Sequence, residues 1–211
     1  MEDLNLVNNL ETFFDFIKQD KVLGQGCFLA VDNQKTPFAI FKLETPLSNP
    51  FYPYNSKPNF SKPTSQTKYI AYYLTENNNK IEKLRIHSAT FIAPYEVENT
   101  ARLVNICLQN EIAAHKGVGS TILKLAQDDL VQQNLTNLEA RFFPFSKFRN
   151  DTAALKFYDK LGFKFPVKCG VGEILSKPLD NIYFKKRIID TSTPQFVFLD
   201  PAPSPKQTLN K

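Results

Sequence analysis

Apolar residues at the start of the chain follow first a helical and then a strand-like spacing. A helical stripe near the N-terminus predicts an amphipathic helix that ends near Gly24 and Gly26. Two strand-like runs follow, residues 27–31 and 38–43, and the polar DNQKT between them predicts a β-hairpin. The helical stripe consists of Leu6, Val7, Leu10, Phe13, Phe14 and Ile17.

A second hairpin and a further strand are predicted in the middle of the chain. Residues 69–74 and 81–92 flank the polar TENNNK, and apolar residues then alternate over residues 104–108. These segments predict a mostly antiparallel meander. Between the two hairpins, residues 45–66 mix prolines with aromatic residues, which predicts a long loop. Its aromatic residues can line a substrate entrance, or the loop can fold back on the surface.

After this strand the spacing becomes helical, around Gly117 and Gly119. Such a strand-to-helix junction leaves backbone N–H groups unpaired at the positive end of a helix dipole, and glycine lets phosphates approach them closely. The junction therefore predicts an anion-binding loop, although a tight turn is the alternative for G-x-G alone. Neither a Walker P-loop nor a dinucleotide fingerprint is present. The helical stripe consists of Val118, Ile122, Leu125, Ala126 and Leu130.

Another strand and helix complete the pattern. Residues 135–143 predict the strand, and the helix is predicted between Asn150, a good N-cap, and Gly162, which closes it. One face of this helix carries Ala153, Ala154, Phe157, Tyr158 and Leu161.

Two of these segments, AHKGVGSTIL and NDTAALKFYDKLGF, resemble the signature of the GCN5-related N-acetyltransferase (GNAT) family. That signature is Q/R-x-x-G-x-G/A followed, one strand later, by N-x-x-A-x-x-x-x-Y-x-x-x-G-F. The resemblance rests mainly on residues 103–165. It implies an α+β fold with a mixed, mostly antiparallel central sheet flanked by helices. We expect one such domain over residues 1–190, including the 45–66 loop, and a proline-rich tail over residues 191–211.

The resemblance also implies an activity, the transfer of an acetyl group from acetyl-coenzyme A to an amine by direct attack. The acceptor is a small molecule, a peptide or a protein, and the sequence does not choose among them. The 45–66 loop and the tail can recruit a protein acceptor. The alternative is a regulatory or interaction module that binds coenzyme A but has lost catalysis.

Site residues follow from the same resemblance. Tyr158 matches the family's general acid, which protonates the departing thiolate; a phenol with a pKa near ~10 carries its proton at neutral pH. Ala114 stands where arginine or glutamine is usual, so one side-chain contact to phosphate is in doubt. Residues 114–120, called the glycine loop below, are expected to bind pyrophosphate. The full set expected to bind the cofactor is Leu108, Gln109, Ala114, His115, Lys116, Gly117, Val118, Gly119, Ser120, Asn150, Ala153 and Phe157.

The general base is less well defined. Glu111 occupies a position where proline is common in the family, and it is the first candidate. Glu139, Glu96 and Glu98 compete with it. His87 is a further candidate, although a lone histidine is more often structural.

Composition narrows the class of protein. With 211 residues, 42% of them hydrophobic, the chain can bury one core. The net charge of +5 comes from scattered lysines, which predicts a solvated surface and no nucleic-acid partner. Cys27, Cys107 and Cys169 are widely spaced, so we expect neither a disulfide framework nor a metal site. Without a signal sequence or membrane span, a cytoplasmic protein with no membrane partner is expected, as a monomer or homodimer.

One further similarity is excluded. VLGQGCFLAVDNQKTPFAIFK resembles the glycine-rich loop and lysine strand of protein kinases, with Gly24, Gly26 and Lys42 in the corresponding places. The chain contains neither D-F-G nor H-R-D, and Leu29 replaces the third glycine. The segment is therefore interpreted as the first hairpin, with Lys42 as an exposed or edge-strand charge.

Overall fold

The computed structural model describes residues 4–23, 27–46, 65–92, 99–141, 151–165, 174–179, 186–188 and 197–199. The helices in these ranges are α1 (Leu10–Gln19), α2 (Val118–Gln132) and α3 (Asp151–Lys160), with one 3₁₀ turn at Glu111–Ala113. The strands are β1 (Cys27–Val31), β2 (Pro37–Pro46), β3 (Ser65–Asn77), β4 (Lys80–Ile92), β5 (Thr100–Leu108), β6 (Asn137–Arg141), β7 (Ile174–Pro178), β8 (Lys186–Ile188) and β9 (Val197–Leu199).

All of the described strands lie in one sheet, in the order β7-β6-β5-β4-β3-β2-β1-β9-β8. Neighbouring strands are antiparallel, except that β5 pairs with β6 and β1 with β9 in parallel. The predicted α+β class with a mixed, mostly antiparallel sheet is confirmed. The prediction that Lys42 is an exposed or edge-strand charge is wrong, because β2 lies between β1 and β3 and the Lys42 Nζ is 3.1 Å from the Asp129 carboxylate.

The first helix begins later than its apolar stripe predicts. Asn9 is the N-cap, and its side-chain oxygen accepts a hydrogen bond from the N–H of Thr12 at 3.1 Å. The two apolar residues before it instead run alongside β3: Leu6 forms a bridge with Thr75, and Val7 N–H donates to the Leu74 carbonyl at 2.9 Å. The helix therefore starts at its cap, and the two earlier apolar residues pack from extended backbone, with Val7 buried and Leu6 partly buried.

Each face of the sheet carries its own core, because successive strand residues point to opposite faces. In β3, Tyr69, Ala71 and Tyr73 belong to the larger core with α2, whereas Leu74 belongs to the smaller core with α1. Burying one large apolar side chain contributes ~1.5–3 kcal/mol. The smaller core consists of Val7, Phe13, Ile17, Leu23, Cys27, Leu29, Ala39 and Leu74.

The C-terminal half of α2 is bound to the sheet through a polar contact. The Tyr69 hydroxyl on β3 donates to the Asp129 carboxylate at 2.5 Å, and Lys42 pairs with the same carboxylate oxygen. Burial, together with the adjacent Asp129 charge, raises the pKa of Tyr69 well above its usual range. This tyrosine therefore stays a donor, and it fixes the helix over β2 and β3.

Some predicted boundaries move, and others lie outside the described residues. The strands β2 and β3 continue to the pairs Thr45–Gln66 and Pro46–Ser65, so both ends of the predicted 45–66 loop are strand. The remainder of that loop, Cys169 and most of the predicted tail lie outside the described residues. The division at residue 190 stays a prediction; β9, which falls in the predicted tail, pairs with β1. None of the described helices is long and apolar enough to span a bilayer.

Candidate functional site

The strand β5 changes its pairing halfway along. On the β4 side, Thr90 pairs with Asn105 and Phe91 with Leu103, so Val104 is an extra residue that forms a β-bulge. On the β6 side, pairing stops at Leu103. Within the described ranges, no strand pairs with residues 104–108 on that side. As far as the described residues go, this segment, called the unpaired part of β5 below, offers alternate backbone groups to an extended ligand chain.

The glycine loop joins the end of β5 to α2. The N–H groups of Gln109 and Asn110 both donate to the Ile86 carbonyl, at 2.9 and 3.3 Å. At these two hydrogen bonds the chain leaves the sheet. Two loop residues then adopt left-handed backbone conformations, His115 with φ of 58° and Gly117 with φ of 85°. Gly117 is the N-cap of α2 and has no side chain to cap the helix.

The first turn of α2 offers unpaired backbone donors. The N–H of Thr121 donates to the Gly117 carbonyl at 3.0 Å, which is the first bond of the helical ladder. No described residue accepts from the N–H groups of Val118, Gly119 or Ser120. With the positive end of the helix dipole, these three groups make a site suited to an anion.

Close packing by neighbouring side chains also explains why both of these loop positions are glycine. A Cβ on Gly119 would lie 2.8 Å from the Nε2 of His87, and one on Gly117 would lie 2.9 Å from the Oδ1 of Asn33. The positive φ of Gly117 disfavours a side chain as well. The G-x-G pattern is therefore required by the turn and its neighbours, whether or not a ligand approaches it.

His87 on β4 is buried directly beneath the glycine loop. Burial lowers the pKa of this imidazole to about 4, so it is neutral at pH 7. Its Nε2 faces Gly119. The contact supports a structural role more directly than the role of general base.

Tyr158 on α3 lies beside the unpaired part of β5. Its ring packs edge-on against Phe157 and Phe163, with centroids 5.6 and 5.2 Å away. Burial raises the pKa of the Tyr158 hydroxyl to about 12, and the nearby Cys107 thiol on β5 adds to the rise. Gly162, with φ of 82°, ends the helix after this tyrosine. The structure thus brings a protonated hydroxyl to the strand expected to hold the cofactor.

The predicted base candidates occupy different environments. Glu111 is exposed at the start of the 3₁₀ turn, immediately after β5. Glu139 on β6 is an ion-pair partner of Arg102 on β5, with Nη2 and Oε2 3.3 Å apart. Glu96 and Glu98 lie outside the described residues. Of the predicted base candidates that the structure describes, Glu111 is closest in sequence to the glycine loop, and its role stays a prediction.

Two of the predicted cofactor contacts cannot be placed: Asn150 lies outside the described residues, and so does the side chain of Ala153. Leu108 and Gln109 lie at the end of the unpaired stretch of β5, and Leu108 is 44% exposed. Phe157 packs beside Tyr158 on α3. The assignment of these residues to the cofactor stays a prediction.

The Lys116 side chain does not point away from the protein towards an incoming ligand. Its Nζ lies 4.0 Å from the buried Asp32 carboxylate and 5.6 Å from the centre of the Tyr73 ring. This ammonium group therefore already has a partner, whereas His115 is exposed. Asp32, Asn33 and Tyr73 are neighbours of the loop that sequence reasoning missed. Asp32 was recognisable only as a turn residue in DNQKT.

Comparison with known proteins gives matches among solved structures alone. No protein-family model and no curated protein matches the chain. The PaiA N-acetyltransferase from Thermoplasma acidophilum, in complex with coenzyme A, is 20% identical over 51% of this chain and 59% of that one, with a TM-score of 0.37. A GNAT-family acetyltransferase from Staphylococcus aureus Mu50 is 15% identical over 55% and 68%, with a TM-score of 0.40.

A third match is the ribosomal-protein-S18-alanine N-acetyltransferase from Escherichia coli, 22% identical over 55% of this chain and 75% of that one, with a TM-score of 0.33. The matching structures include acetyltransferases of the family that the two motifs resemble. The chain spans less than two thirds of the first of them. At these identities and TM-scores the similarity decides neither activity nor substrate.

Proposed function

We propose that the protein is a GNAT-type N-acetyltransferase that moves an acetyl group from acetyl-coenzyme A to an amine. The observation that carries the proposal is the combination of three features around one strand. Within the described part of the chain, β5 beyond Leu103 has no partner strand on one side, and the N–H groups in the first turn of α2 have no acceptor. Tyr158 lies beside Cys107 on the same strand.

Each feature suits one part of acetyl-coenzyme A. The N–H groups of Val118, Gly119 and Ser120 would receive the pyrophosphate, which is the ligand group that most needs backbone donors and a positive helix end. The free edge of residues 104–108 would hydrogen-bond the amide groups of the pantetheine arm, as an added strand does. This arrangement would bring the thioester to the side of β5 that Tyr158 faces.

The residues of the chain then have separable chemical roles. The protein would hold the neutral amine against the thioester carbonyl, and such positioning can contribute ~7–11 kcal/mol to lowering a barrier. As the new C–N bond forms and the C–S bond breaks, Glu111, directly or through water, would take the proton from nitrogen. Tyr158 would donate to the leaving sulfur. Neither role uses a metal ion.

The first test is binding. Isothermal titration with acetyl-coenzyme A and with free coenzyme A should show one saturable site per chain, and a thiol-release screen of amines and peptides should identify the acceptor. Saturable binding without turnover on any acceptor would favour the coenzyme-A-binding module instead. A folded protein that binds neither ligand would contradict the proposal.

A substitution in the first turn of α2 tests the anion site itself. Ser120→Glu places a carboxylate at the third helical position, where a negative charge favours the helix. We expect retained stability and at least ~10-fold weaker coenzyme A binding, because the charge repels phosphate. Ser120→Gln has nearly the same size without the charge and is the matched control. Equal affinities of the two variants would show that phosphate binds elsewhere.

A further inference from the structure

The turn between β1 and β2, residues 32–36, lies directly against the glycine loop. Asp32 N–H donates to the Thr36 carbonyl at 2.9 Å and Lys35 N–H to the Asp32 carbonyl at 3.0 Å, and Lys35 has φ of 69°. This is the pattern of a type I turn followed by a left-handed residue. At its tip, Asn33 N–H donates to the Lys116 carbonyl at 3.0 Å.

Asp32 holds this turn together from the inside. Its carboxylate is fully buried, and one oxygen accepts from the N–H groups of Gln34 and Thr36, at 2.8 and 2.9 Å. The other oxygen accepts from the Tyr73 hydroxyl at 2.5 Å and lies 4.0 Å from the Lys116 ammonium. One side chain therefore connects the first hairpin, β3 and the glycine loop.

A gain in folding stability is a weak explanation for the buried Asp32 carboxylate. A buried carboxylate with a distant ammonium partner gains little over well-packed apolar side chains, because both charges lose water. The contacts of this cluster do have a geometric effect. The loop carries two left-handed residues before α2, and its own bond from Lys116 N–H to the Ala113 carbonyl is long, at 3.4 Å. The β1–β2 turn therefore provides a hydrogen bond to the glycine loop that the loop does not form within itself.

We propose that Asp32 and Asn33 are positioning residues for the anion site at the start of α2. Asn33 fixes the loop backbone through Lys116 and fills the space beside Gly117, while Asp32 fixes Asn33 and the Lys116 side chain. Together they hold the N–H groups of Val118, Gly119 and Ser120 in the arrangement that receives the phosphates of coenzyme A. This inference rests on the proposed function.

Two variants remove these contacts with little change in shape. Asn33→Pro deletes the N–H that donates to Lys116, and proline is favoured at the second position of a type I turn. Asp32→Asn keeps an acceptor for the turn but removes the negative charge facing Lys116. We expect each to weaken coenzyme A binding by about tenfold in isothermal titration, measured well below its unfolding temperature.

The other end of α2 offers a matched control. Asp129 also accepts from a β3 tyrosine, Tyr69, and also pairs with a lysine, Lys42, but it lies far along the helix from the glycine loop. Asp129→Asn should lower the unfolding temperature as much as Asp32→Asn does. Its coenzyme A affinity should stay within about twofold of the wild type, because the loop keeps its contacts.

Backbone dynamics test the positioning without any ligand. In ¹⁵N heteronuclear NOE measurements, the amides of residues 115–120 should be less ordered in Asn33→Pro and Asp32→Asn than in the wild type and in Asp129→Asn. Wild-type affinity and loop order in the first two variants, or an equal loss in all three, would overturn the inference. If the wild type binds no coenzyme A, the proposed function fails, and loop order alone then decides whether the turn positions the loop.

Discussion

Replacing Tyr158 by phenylalanine isolates the contribution of one hydroxyl. The ring keeps its edge-on contacts with Phe157 and Phe163, so the fold should be retained. Burial and the nearby Cys107 thiol raise the pKa of the hydroxyl to about 12, so in the wild type it is a donor throughout the neutral range. The variant therefore loses a hydrogen-bond donor and little else.

The same pKa limits the size of the effect. An ordinary thiol has a pKa near ~8.5, so complete transfer of a proton from a hydroxyl of pKa about 12 is unfavourable by roughly 3.5 units, or ~5 kcal/mol. A charge-assisted hydrogen bond to the departing sulfur contributes ~1.5–3 kcal/mol. We therefore expect Tyr158→Phe to lower kcat by ~10- to 100-fold, at the lower end of general acid catalysis.

The assay is thiol release at saturating acceptor, alongside titration with acetyl-coenzyme A. The Kd for acetyl-coenzyme A should stay within about twofold, because the hydroxyl acts on the sulfur only as the bond breaks. Tyr69→Phe is the control, since it removes another buried tyrosine hydroxyl, bonded to Asp129. It should reduce stability without reducing kcat. An unchanged kcat in Tyr158→Phe would remove this residue from the chemistry.

Two further predictions concern the contact beneath the glycine loop. The pKa of His87 falls from ~6.5 in the unfolded chain to about 4 in the folded protein, so the unfolded state binds more protons between these values. Stability should fall by ~3 kcal/mol as the pH drops through this window, and His87→Gln should remove that part of the slope in urea unfolding. Gly119→Ala, whose Cβ would meet the His87 Nε2 at 2.8 Å, should cost ~1–3 kcal/mol. In the double variant Gly119→Ala/His87→Ala, much of the stability lost through Gly119→Ala should be regained, whereas Ser120→Ala alone should change stability little. If the losses from Gly119→Ala and His87→Ala simply add, the contact is contradicted.

The strands and helices were predictable where the apolar spacing is local. The meander follows alternation within each segment, and α2 follows a single stripe that matches buried positions such as Ile122. The stripe predicted for α3 ends on Leu161, which is buried immediately after the helix. The start of α1 was not predictable from its stripe. Leu6 and Val7 continue the helical spacing, yet they pair with β3. The apolar stripe does not show where the helix begins; the cap at Asn9 does.

The candidate site likewise has features that the sequence predicts and features that it does not. The glycine loop and Tyr158 belong to contiguous motifs, and their residue types alone suggest an anion and a proton donor. The bulge at Val104 and the end of pairing at Leu103 depend on two neighbouring strands. No spacing within one segment reveals them. The inward turn of Lys116 was equally hidden, because a loop lysine in a sequence is normally an exposed charge.

Asp32 shows why the supporting residues are harder to find than the residues expected to touch a ligand. An aspartate before Asn-Gln-Lys is ordinary turn chemistry, and the turn does use it that way through Gln34 and Thr36. Its second oxygen faces Tyr73 and Lys116, which come from distant parts of the chain. The role of Asp32 in the turn is sufficient to explain why an aspartate is present. The sequence therefore gives no separate indication of its contacts with Tyr73 and Lys116. Residues that serve both a turn and a site are therefore where the structure adds most.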